Sequence, residues 1–403
     1  MKWFWVPALL LGALVSARAD TFLILPFFNR TSSQNLDWIG ESISETIRES
    51  LAAQGLVVLE REDRQEAYHR LSVRPNALLT RATVVKIGVA LDAGTVIYGE
   101  YALTPMPEAA PPTRGSLHIT AHILDLKRMR QGPEFPEIGA LEDLAFLQTH
   151  LAWETLQFVI PKTAPSEEDF KKARPPVRVD AIENYTRGLL AASPEQKKVF
   201  FLQAARLDSG FSQPCYQLGK LFYDRKDYRG AADWLAKVAP GDTHYHEANF
   251  LLGLSQYQLG DYAGAETAFQ LVAQSVPLNE VLNDLGAAQS RHNSPAALDS
   301  FKKALDGDSA DPVYRFNVGY ELWRRGDFDA AAERFRAVLE RDPNDAQAQA
   351  LLQLCRTRTG PRKSGIQTDG FERLKTEYEE SAYWQLKAVL QPDKPAPVVI
   401  NNK

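Results

Sequence analysis

The chain has 403 residues, of which 44% are hydrophobic and 24% charged, and its formal net charge is −5. This is the composition of a globular protein long enough for two or three domains. The slightly acidic balance excludes the basic footprint of a nucleic-acid-binding protein and also a polyanionic tail. We therefore expect a multidomain globular protein that does not bind nucleic acid.

Residues 1–19 have the pattern of a secretory signal peptide. Lys2 supplies a positive charge, Trp3 to Val15 form a short apolar run, and a small-x-small cleavage site ends at Ala19. An uncleaved anchor helix is the alternative, but the run is shorter than the roughly 20 residues that a bilayer span needs. No later segment is long and apolar enough to span a membrane. We expect a mature chain that is cleaved after Ala19 and is periplasmic or secreted.

Residues 20–160 alternate between strand and helix patterns. A continuous apolar run from Thr21 to Phe27 predicts a strand buried on both faces. Apolar residues at steps of four between Asp37 and Ala53 predict an amphipathic helix. The remaining predicted elements are strands at 56–59, 95–103 and 117–126 and helices at 61–71, 80–91 and 141–158. This order of elements predicts a small mixed α/β domain.

Several apolar motifs of this domain occur in a familiar order. They are Leu23-Ile-Leu-Pro-Phe-Phe-Asn29, Asp37-Trp-Ile-Gly40, Leu56-Val-Val-Leu-Glu-Arg61, Gly94-Thr-Val-Ile-Tyr-Gly-Glu100 and the strand from Leu117 to Asp125. With them the domain resembles the TolB-type amino-terminal domain and is similar to the related domains of flagellar and curli-secretion outer-membrane proteins. The resemblance implies a bacterial, envelope-associated module that assembles with other proteins and is often joined to helical repeats.

The polar loop from Asn29 to Asp37 is the candidate for chemistry in this domain. It follows the carboxyl end of the first strand, where open α/β sheets place ligands. However, the sequence has no glycine-rich phosphate loop and no nucleophile or triad motif. We interpret Asn29 as a turn residue and Asp37 as a helix cap, and we predict no enzyme activity and no cofactor. A small-molecule or nucleotide sensor, or an enzyme, acting through residues 29–37 is the alternative.

Histidine spacing gives little support for a metal site. His118 and His122 lie on one predicted strand and are roughly 13 Å apart, too far to share one ion. His244, His246 and Glu247 are close in sequence but lack a further ligand in view. We predict no metal site.

Residues 180–345 repeat a pattern. Leu-Gly or Val-Gly pairs end at Gly219, Gly253, Gly286 and Gly319, a period of roughly 34 residues. An alanine follows each glycine by eleven or twelve positions, and a bulky apolar residue comes four positions later. Apolar spacings of three and four predict two amphipathic helices per unit, with the small residues where the helices touch. The predicted packing positions are Gly219, Ala231, Gly253, Ala265, Phe269, Gly286, Ala297, Phe301, Gly319, Ala331 and Phe335.

These units resemble the tetratricopeptide repeat (TPR), whose signature is Leu-Gly, Ala, Phe and Pro over about 34 residues. With a degenerate first unit at 180–207 there are about five, and they must stack because one helix pair cannot bury its apolar face alone. The proline-rich residues 161–179 predict a semi-stiff linker, residues 346–390 capping helices, and residues 391–403 a disordered tail. The expected fold is a small mixed α/β amino-terminal domain followed by an α-helical TPR solenoid.

In the TPR family, the first helix of each unit lines a concave groove. The residues carried over to those positions are Tyr216, Lys220, Tyr223, Phe250, Leu254, Tyr257, Asn283, Phe316, Tyr320 and Trp323. This surface is rich in aromatics and has few charges, which suits an extended peptide or a helix of a protein partner. The alternative is that several of these rings only pack against neighbouring helices. The predicted function is an exported protein–protein interaction scaffold, with envelope assembly as the role that the resemblances imply.

Overall fold

The computed structural model describes residues 21–31, 33–105, 115–361 and 371–390. They form an α/β domain followed by an array of helices, as expected. The predicted signal peptide and the predicted tail lie outside the described residues. Within those ranges, no helix has the length and apolar character needed to cross a membrane.

The α/β domain contains one mixed sheet and four principal helices. The strands are β1 (Thr21–Ile24), β2 (Phe28–Asn29), β3 (Val57–Val58), β4 (Thr95–Pro105), β5 (Gly115–Asp125) and β6 (Arg130–Ala140); the helices are α1 (Trp38–Ala52), α2 (Arg61–Leu71), α3 (Arg81–Ala90) and α4 (Leu144–Val159). The strand order is β3-β1-β4-β5-β6, and β2 also pairs with β4. β1 is parallel to β3 and β4, whereas β4, β5 and β6 are antiparallel.

Strand β1 is buried on both faces of the sheet, as its apolar run predicts. Phe22 and Ile24 belong to a core shared with α1 and α4. Leu23 and the following Leu25 belong to a second core shared with α2 and α3. Alternate side chains of a strand point to opposite faces, so the domain has three layers with the sheet in the middle.

Strand β6 is absent from the sequence-based prediction. It pairs with β5 along its length and forms one edge of the sheet. Its sequence includes Pro133 and Pro136, which are depleted in strands but tolerated at edges, where one row of backbone groups faces away from the sheet. These prolines, with Gly132 and Gly139 of the same strand, made the sequence pattern unlike that of a typical strand.

The connection between the domains is more ordered than the linker predicted for residues 161–179. It contains a further helix, α5 (Glu167–Ala173). Phe170 is 1% exposed and belongs to the core of the α/β domain. The indole of Trp153 donates a hydrogen bond to the carbonyl of Pro165 at 3.2 Å. The prediction from proline content missed these contacts because they depend on tertiary packing.

The helical array consists of consecutive pairs. They are α6 (Val179–Leu190) with α7 (Pro194–Leu207), α8 (Gln213–Asp224) with α9 (Tyr228–Leu235), α10 (Tyr245–Gln258) with α11 (Tyr262–Ser275), α12 (Asn279–Arg291) with α13 (Ala297–Gly307), and α14 (Pro312–Arg324) with α15 (Phe328–Leu339); α16 (Ala346–Arg356) follows and packs on α15. The helices bury apolar faces against the neighbouring pairs, as stacked units must.

The turns within the pairs share one local design. Before three of the second helices a residue adopts a positive φ: 60° at Lys226, 81° at Gly260 and 85° at Gly326. The aspartate that follows each caps the helix by accepting a hydrogen bond from the main-chain N–H three residues on. The turn at Asn293 also has a positive φ, 63°, although its sequence differs.

The predicted packing positions meet inside the pairs. A Cβ added to Gly253 or Gly286 would lie 2.7 Å from the ring of Phe269 or Phe301, and one added to Gly219 would lie 2.4 Å from Leu235. The fit at Gly319 is looser, with 3.0 Å to the nearest atom. The four periodic alanines are fully buried: Ala231, Ala265, Ala297 and Ala331.

The first unit of the array packs directly on the α/β domain. Helix α6 contacts α1 and α4, and Ile182 belongs to the α/β core. Arg187 donates to the carbonyl and the side-chain oxygen of Asn35 at 2.9 and 2.7 Å. Gln213 donates to the carboxylate of Glu49 on α1. The two domains therefore share an interface built from both apolar and polar contacts.

Residues 371–390 do not form the capping helix that their sequence predicts. Only Glu380–Leu390 is helical and is α17, while residues 371–379 form neither helix nor strand. The side chains of Leu374, Tyr378 and Tyr383 join the core clusters of the array. This stretch lies along the array because its polar main chain finds partners there, as described below.

We predict that Gly253→Val destabilises the array. The added side chain collides with Phe269, and overpacking a core typically costs about 1–3 kcal/mol. Urea unfolding followed by circular dichroism measures the loss. Gly241→Val is the matched control, because no atom lies within 4 Å of a Cβ at Gly241. Equal midpoints for both variants would contradict the packing role of Gly253.

We predict that Glu49 makes the stability of the domain interface depend on pH. Burial and the neighbouring charge of Glu45 raise the pKa of Glu49 from 4.5 to about 8. Between these values the folded chain keeps a proton that the unfolded chain has lost, so the free energy of unfolding falls as pH rises.

The Glu49→Gln variant should lose that part of the pH dependence and be more stable than the parent near pH 8. Thermal unfolding between pH 5 and pH 8, about the range of the shift, tests this. The exposed Glu62→Gln serves as the control. Parallel pH profiles for the parent and Glu49→Gln would overturn the assignment.

Candidate functional site

Residues 371–379 lie in the groove of the array, and two asparagines bind their main chain. The amide nitrogens of Asn283 and Asn317 both donate to the carbonyl of Arg373, at 2.9 and 2.7 Å. The Asn317 oxygen accepts from the Arg373 N–H at 2.8 Å, and Asn317 also donates to Asn283 at 2.7 Å. Both asparagines are fully buried. One residue of the segment is thereby held at both of its main-chain groups.

Two acidic side chains bind further main-chain N–H groups of the segment. Asp284 accepts from Lys375 at 2.9 Å, and Glu280 accepts from Glu379 at 3.2 Å. Burial raises the pKa of both carboxyl groups, strongly for Asp284. Such main-chain bonds resemble those that a sheet edge makes to an added strand, because they do not depend on the side chains of the ligand.

The side chain of Glu372 enters a buried polar site. Its carboxylate is 1% exposed, accepts from the hydroxyl of Ser290 at 2.8 Å, and lies 4.0 Å from the guanidinium groups of Arg291 and Arg324. Burial raises the pKa of Glu372, while Ser290 and the two arginines oppose that shift. This end of the groove is a site for an acidic side chain.

The next basic side chains of the segment meet acidic ones. Arg373 pairs with Asp345 at 2.7 Å, and its guanidinium lies 3.5 Å from the centre of the Phe316 ring. Lys375 pairs with Asp311 at 2.6 Å. The hydrogen bond from Arg373 lowers the pKa of Asp345. These pairs combine charge with a cation–π contact.

Aromatic contacts anchor both ends of the segment. Phe371 packs edge-on against Tyr320, with ring centres 5.9 Å apart, and Tyr378 lies 5.5 Å from Phe250. Beyond residues 371–379, the Tyr383 hydroxyl is 2.9 Å from Nδ1 of His246. The segment therefore runs from the last repeats towards the earlier ones, against the order of the units.

The structure divides the predicted groove residues into two groups. Phe250, Asn283, Phe316 and Tyr320 contact residues 371–379. The others have partners within the array. Tyr216 stacks on His244, Tyr223 and Tyr257 pack on the tyrosine that opens the next helix, Lys220 lies 3.7 Å from Glu247, Leu254 is in the core, and Trp323 donates to the carbonyl of Thr359.

Sequence reasoning missed most of the polar groove residues. The expectation of few charges is wrong, since the groove presents acidic and basic side chains to the segment: Glu280, Asp284, Asp311 and Asp345, and Arg291 and Arg324. A signal was present, because Asn249, Asn283 and Asn317 occupy the same position in successive units. Aromatic content drew the prediction away from this periodic polar position.

Two groups of side chains have donor atoms close enough to bind a cation. Glu380 of α17 supplies the further ligand that His244 and Glu247 lack in sequence. Burial disfavours the charged ring of His244, but Glu247, Asp242 and Glu380 outweigh it and raise its pKa to about 9. The His244 ring and the Glu247 carboxylate lie at ion-pair distance, 3.8 Å. The other group is Glu137, His150 and Glu154.

The loop from Asn29 to Asp37 makes hydrogen bonds within itself. Asn29 donates to Asp37 at 2.6 Å and accepts from the main chain of Thr31 at 2.8 Å, which fits its interpretation as a turn residue. Asp37 stands at the N-cap position of α1, but its side chain caps no N–H group and accepts from Asn29 and Asn76 instead. The prediction that the Asp37 side chain caps the helix is therefore wrong, although its position at the start of α1 is as predicted.

Comparisons with known proteins concern mainly the array. Residues 216–280 and 316–355 match the family model of the tetratricopeptide repeat. No curated protein matches the chain. The TolB-type resemblance of the α/β domain is not confirmed.

Solved structures similar to the chain include YrrB, described as a TPR protein with an unusual peptide-binding site (19% identity, 43% of this chain, 93% of that chain, TM-score 0.40). MamA from Desulfovibrio magneticus RS-1 has 23% identity over 41% of this chain and 95% of that chain, with a TM-score of 0.37. The LpoB C-terminal domain from Salmonella enterica has 17% identity over 30% of this chain and 82% of that chain, with a TM-score of 0.23.

We predict that Asn317→Ala releases residues 371–379 from the groove. The change removes two of the three bonds to the Arg373 main chain, and hydrogen bonds left unmade in a buried site cost about 1–3 kcal/mol. Hydrogen exchange of the Arg373 and Lys375 amides should accelerate by about tenfold or more, since about 1.4 kcal/mol is a factor of ten.

Asn249→Ala is the matched control for that measurement. Asn249 occupies the same repeat position, but its amide donates to the carbonyl of Tyr245 in its own helix at 2.8 Å. Its replacement should leave the exchange of Arg373 and Lys375 unchanged. Unchanged exchange in Asn317→Ala would show that the asparagine pair does not hold the segment.

Proposed function

We propose that this protein is an interaction scaffold whose helical array binds an extended segment of a protein partner in its groove. The observation that carries the proposal is the set of main-chain hydrogen bonds from Asn283, Asn317, Asp284 and Glu280 to residues 371–379. Buried polar side chains normally have hydrogen-bond partners. These four side chains find theirs on the main chain of residues 371–379, which supports a peptide segment as the ligand of this groove.

The tetratricopeptide match at residues 216–280 and 316–355 supports this proposal, because the fold suits a protein partner. The α/β domain contributes a second surface. One side of its α1 and α4 is covered by the array, while Phe146 and Phe158 of α4 and Ile138 of β6 are exposed. In the proposed scaffold, the α/β domain holds an assembly in the cell envelope while the groove recruits a client.

The proposed location is the bacterial envelope, after export. Its support is the sequence pattern of residues 1–19 and the TolB-type resemblance of residues 20–160. The mature chain isolated from cells should then begin at Asp20, which mass spectrometry can establish. A chain that retains Met1 would contradict cleaved export.

No observation on the described residues favours the sensor or enzyme alternative at the loop from Asn29 to Asp37. The side chains there are engaged with one another and with Asn76. A nearby depression lined by Phe28, Tyr98 and His122 is small. The groove of the array is therefore the proposed functional surface.

A capture experiment with two full-length variants tests the proposed function. In the first, Arg373→Glu and Lys375→Glu place carboxylates against Asp345 and Asp311 and should free the groove, because like charges at ion-pair distance repel. The second adds Asn283→Ala and Asn317→Ala. From an envelope extract, we expect one partner to be enriched by the first variant and lost by the second.

The asparagine pair is a better control than aromatic groove residues such as Phe250. Phe250 is fully buried and packs on Phe269, so its removal would damage the fold. Circular dichroism and unfolding midpoints should show that both variants keep a folded array. If both then retain the same proteins, or neither retains any, the groove is not the binding surface.

A further inference from the structure

The main-chain bonds of the groove cannot select one peptide sequence over another. They contact groups that every residue other than proline carries. Selection must therefore come from the side-chain sites beside them. The bound residues 371–375 show what these sites accept, because each charged side chain of this stretch meets a group of opposite charge.

The two basic side chains are matched to the repeat spacing of the array. Asp311 and Asp345 are separated by one repeat unit, and they begin helices α14 and α16. Their partners Lys375 and Arg373 are separated by a single residue, and both side chains reach the array. One step along the array thus corresponds to two steps along the ligand.

This correspondence ends at the next unit. The position one unit before Asp311 is Pro277, which carries no charge. The residue of the segment two places after Lys375 is Glu377, and it is exposed. The groove therefore has two acidic sites in a row, which defines a register instead of a uniformly acidic surface.

Next to the two acidic sites, the groove has a basic site that holds the side chain of Glu372. Glu372 lies between Arg291 and Arg324 and accepts from Ser290, and its carboxylate is almost fully buried. A neutral or basic residue there would leave two arginines without that carboxylate. Leu374, between the two basic residues, packs against the apolar core of the array. The groove consequently favours acidic, then basic, then apolar, then basic.

We propose that the groove recognises a partner segment of this pattern, an acidic residue followed by arginine, an apolar residue and lysine in an extended chain. Residues 371–375 are then an intramolecular copy of the ligand, which the partner displaces. This inference rests on the proposed function and specifies its ligand. Because the copy is tethered to the groove, it competes at a high effective concentration and sets a threshold that the partner must exceed.

Labelled peptides test the pattern. The probe is a fluorescent peptide with the sequence of residues 371–383, and a scrambled peptide of the same composition is its control. In fluorescence anisotropy, the full-length Arg373→Glu, Lys375→Glu variant should bind the probe at least about tenfold more tightly than the parent chain, since its own segment no longer competes. The scrambled peptide should bind neither.

Substitutions in the groove then test the charge sites. Asp311→Asn and Asp345→Asn remove the charges but keep side chains that cap helices well, so the array should stay folded. In the freed variant they should lower the affinity for the probe by about tenfold, as expected for loss of charge-assisted bonds. They should have little effect on a peptide with glutamine at the positions of Arg373 and Lys375.

The outcomes separate this inference from the proposed function. If the scrambled peptide binds as tightly as the probe, the groove takes extended peptides without this pattern, and only the present inference fails. If neither peptide binds the folded, freed variant, both fail. A parent chain that doubles in mass with concentration in light scattering, with residues 371–379 exchanged between copies, would make a second copy the ligand and overturn the assignment to a partner.

A second measurement does not need the freed variant. Excess unlabelled probe added to the parent chain should increase hydrogen exchange of residues 371–379, since the segment loses its main-chain bonds when it is displaced. The scrambled peptide should not. If exchange stays unchanged at saturating probe, the segment is a permanent part of the fold and the inference is wrong.

Discussion

The close approach of the two helices in each repeat is the contact on which the rest of the array depends. A glycine on the first helix faces a large apolar side chain of the second, and at Gly253 and Gly286 there is no room for a methyl group. The same contact recurs at Gly188 against Phe201 in the first unit. Because the contact repeats at a nearly constant interval, equivalent side chains of successive units are brought into line. The alignment lets Asn283 and Asn317 bind the same carbonyl.

Several groove residues combine structural and binding roles. Asp311 and Asp345 cap their helices through main-chain N–H groups and also pair with basic side chains of the bound segment. A residue that starts a helix is fixed by the helix, so its charge is held in place before a ligand arrives. This preorganisation reduces the entropy that binding must overcome. It also explains why the polar sites follow the period of the array.

The contact between the domains explains the irregular first unit. Helix α6 has to pack on α7 and also on α1 and α4, and Ile182 is shared with the α/β core. Its sequence therefore serves two interfaces and departs from the pattern of the later units. Prediction from the sequence succeeded where burial of an element gives it a clear apolar pattern, on one face in α1 and on both faces in β1. It failed at β6, whose prolines are acceptable only at a sheet edge, and at α5, which depends on Phe170 reaching a core distant in sequence.

The sequence by itself determined the repeat and most of the local elements, because apolar period and turn residues act over a few residues. It therefore indicated Gly253, Ala265 and Phe269 as packing positions and Phe250, Asn283, Phe316 and Tyr320 as groove positions. Only the tertiary structure decided what lies in the groove. Residues 371–379 have a pattern that predicts a helix, but they are not helical because Asn317, Asp284 and Glu280 bind their main chain from positions far away in sequence. Helix propensity depends only on residues close in sequence, so it gives no information on such distant partners.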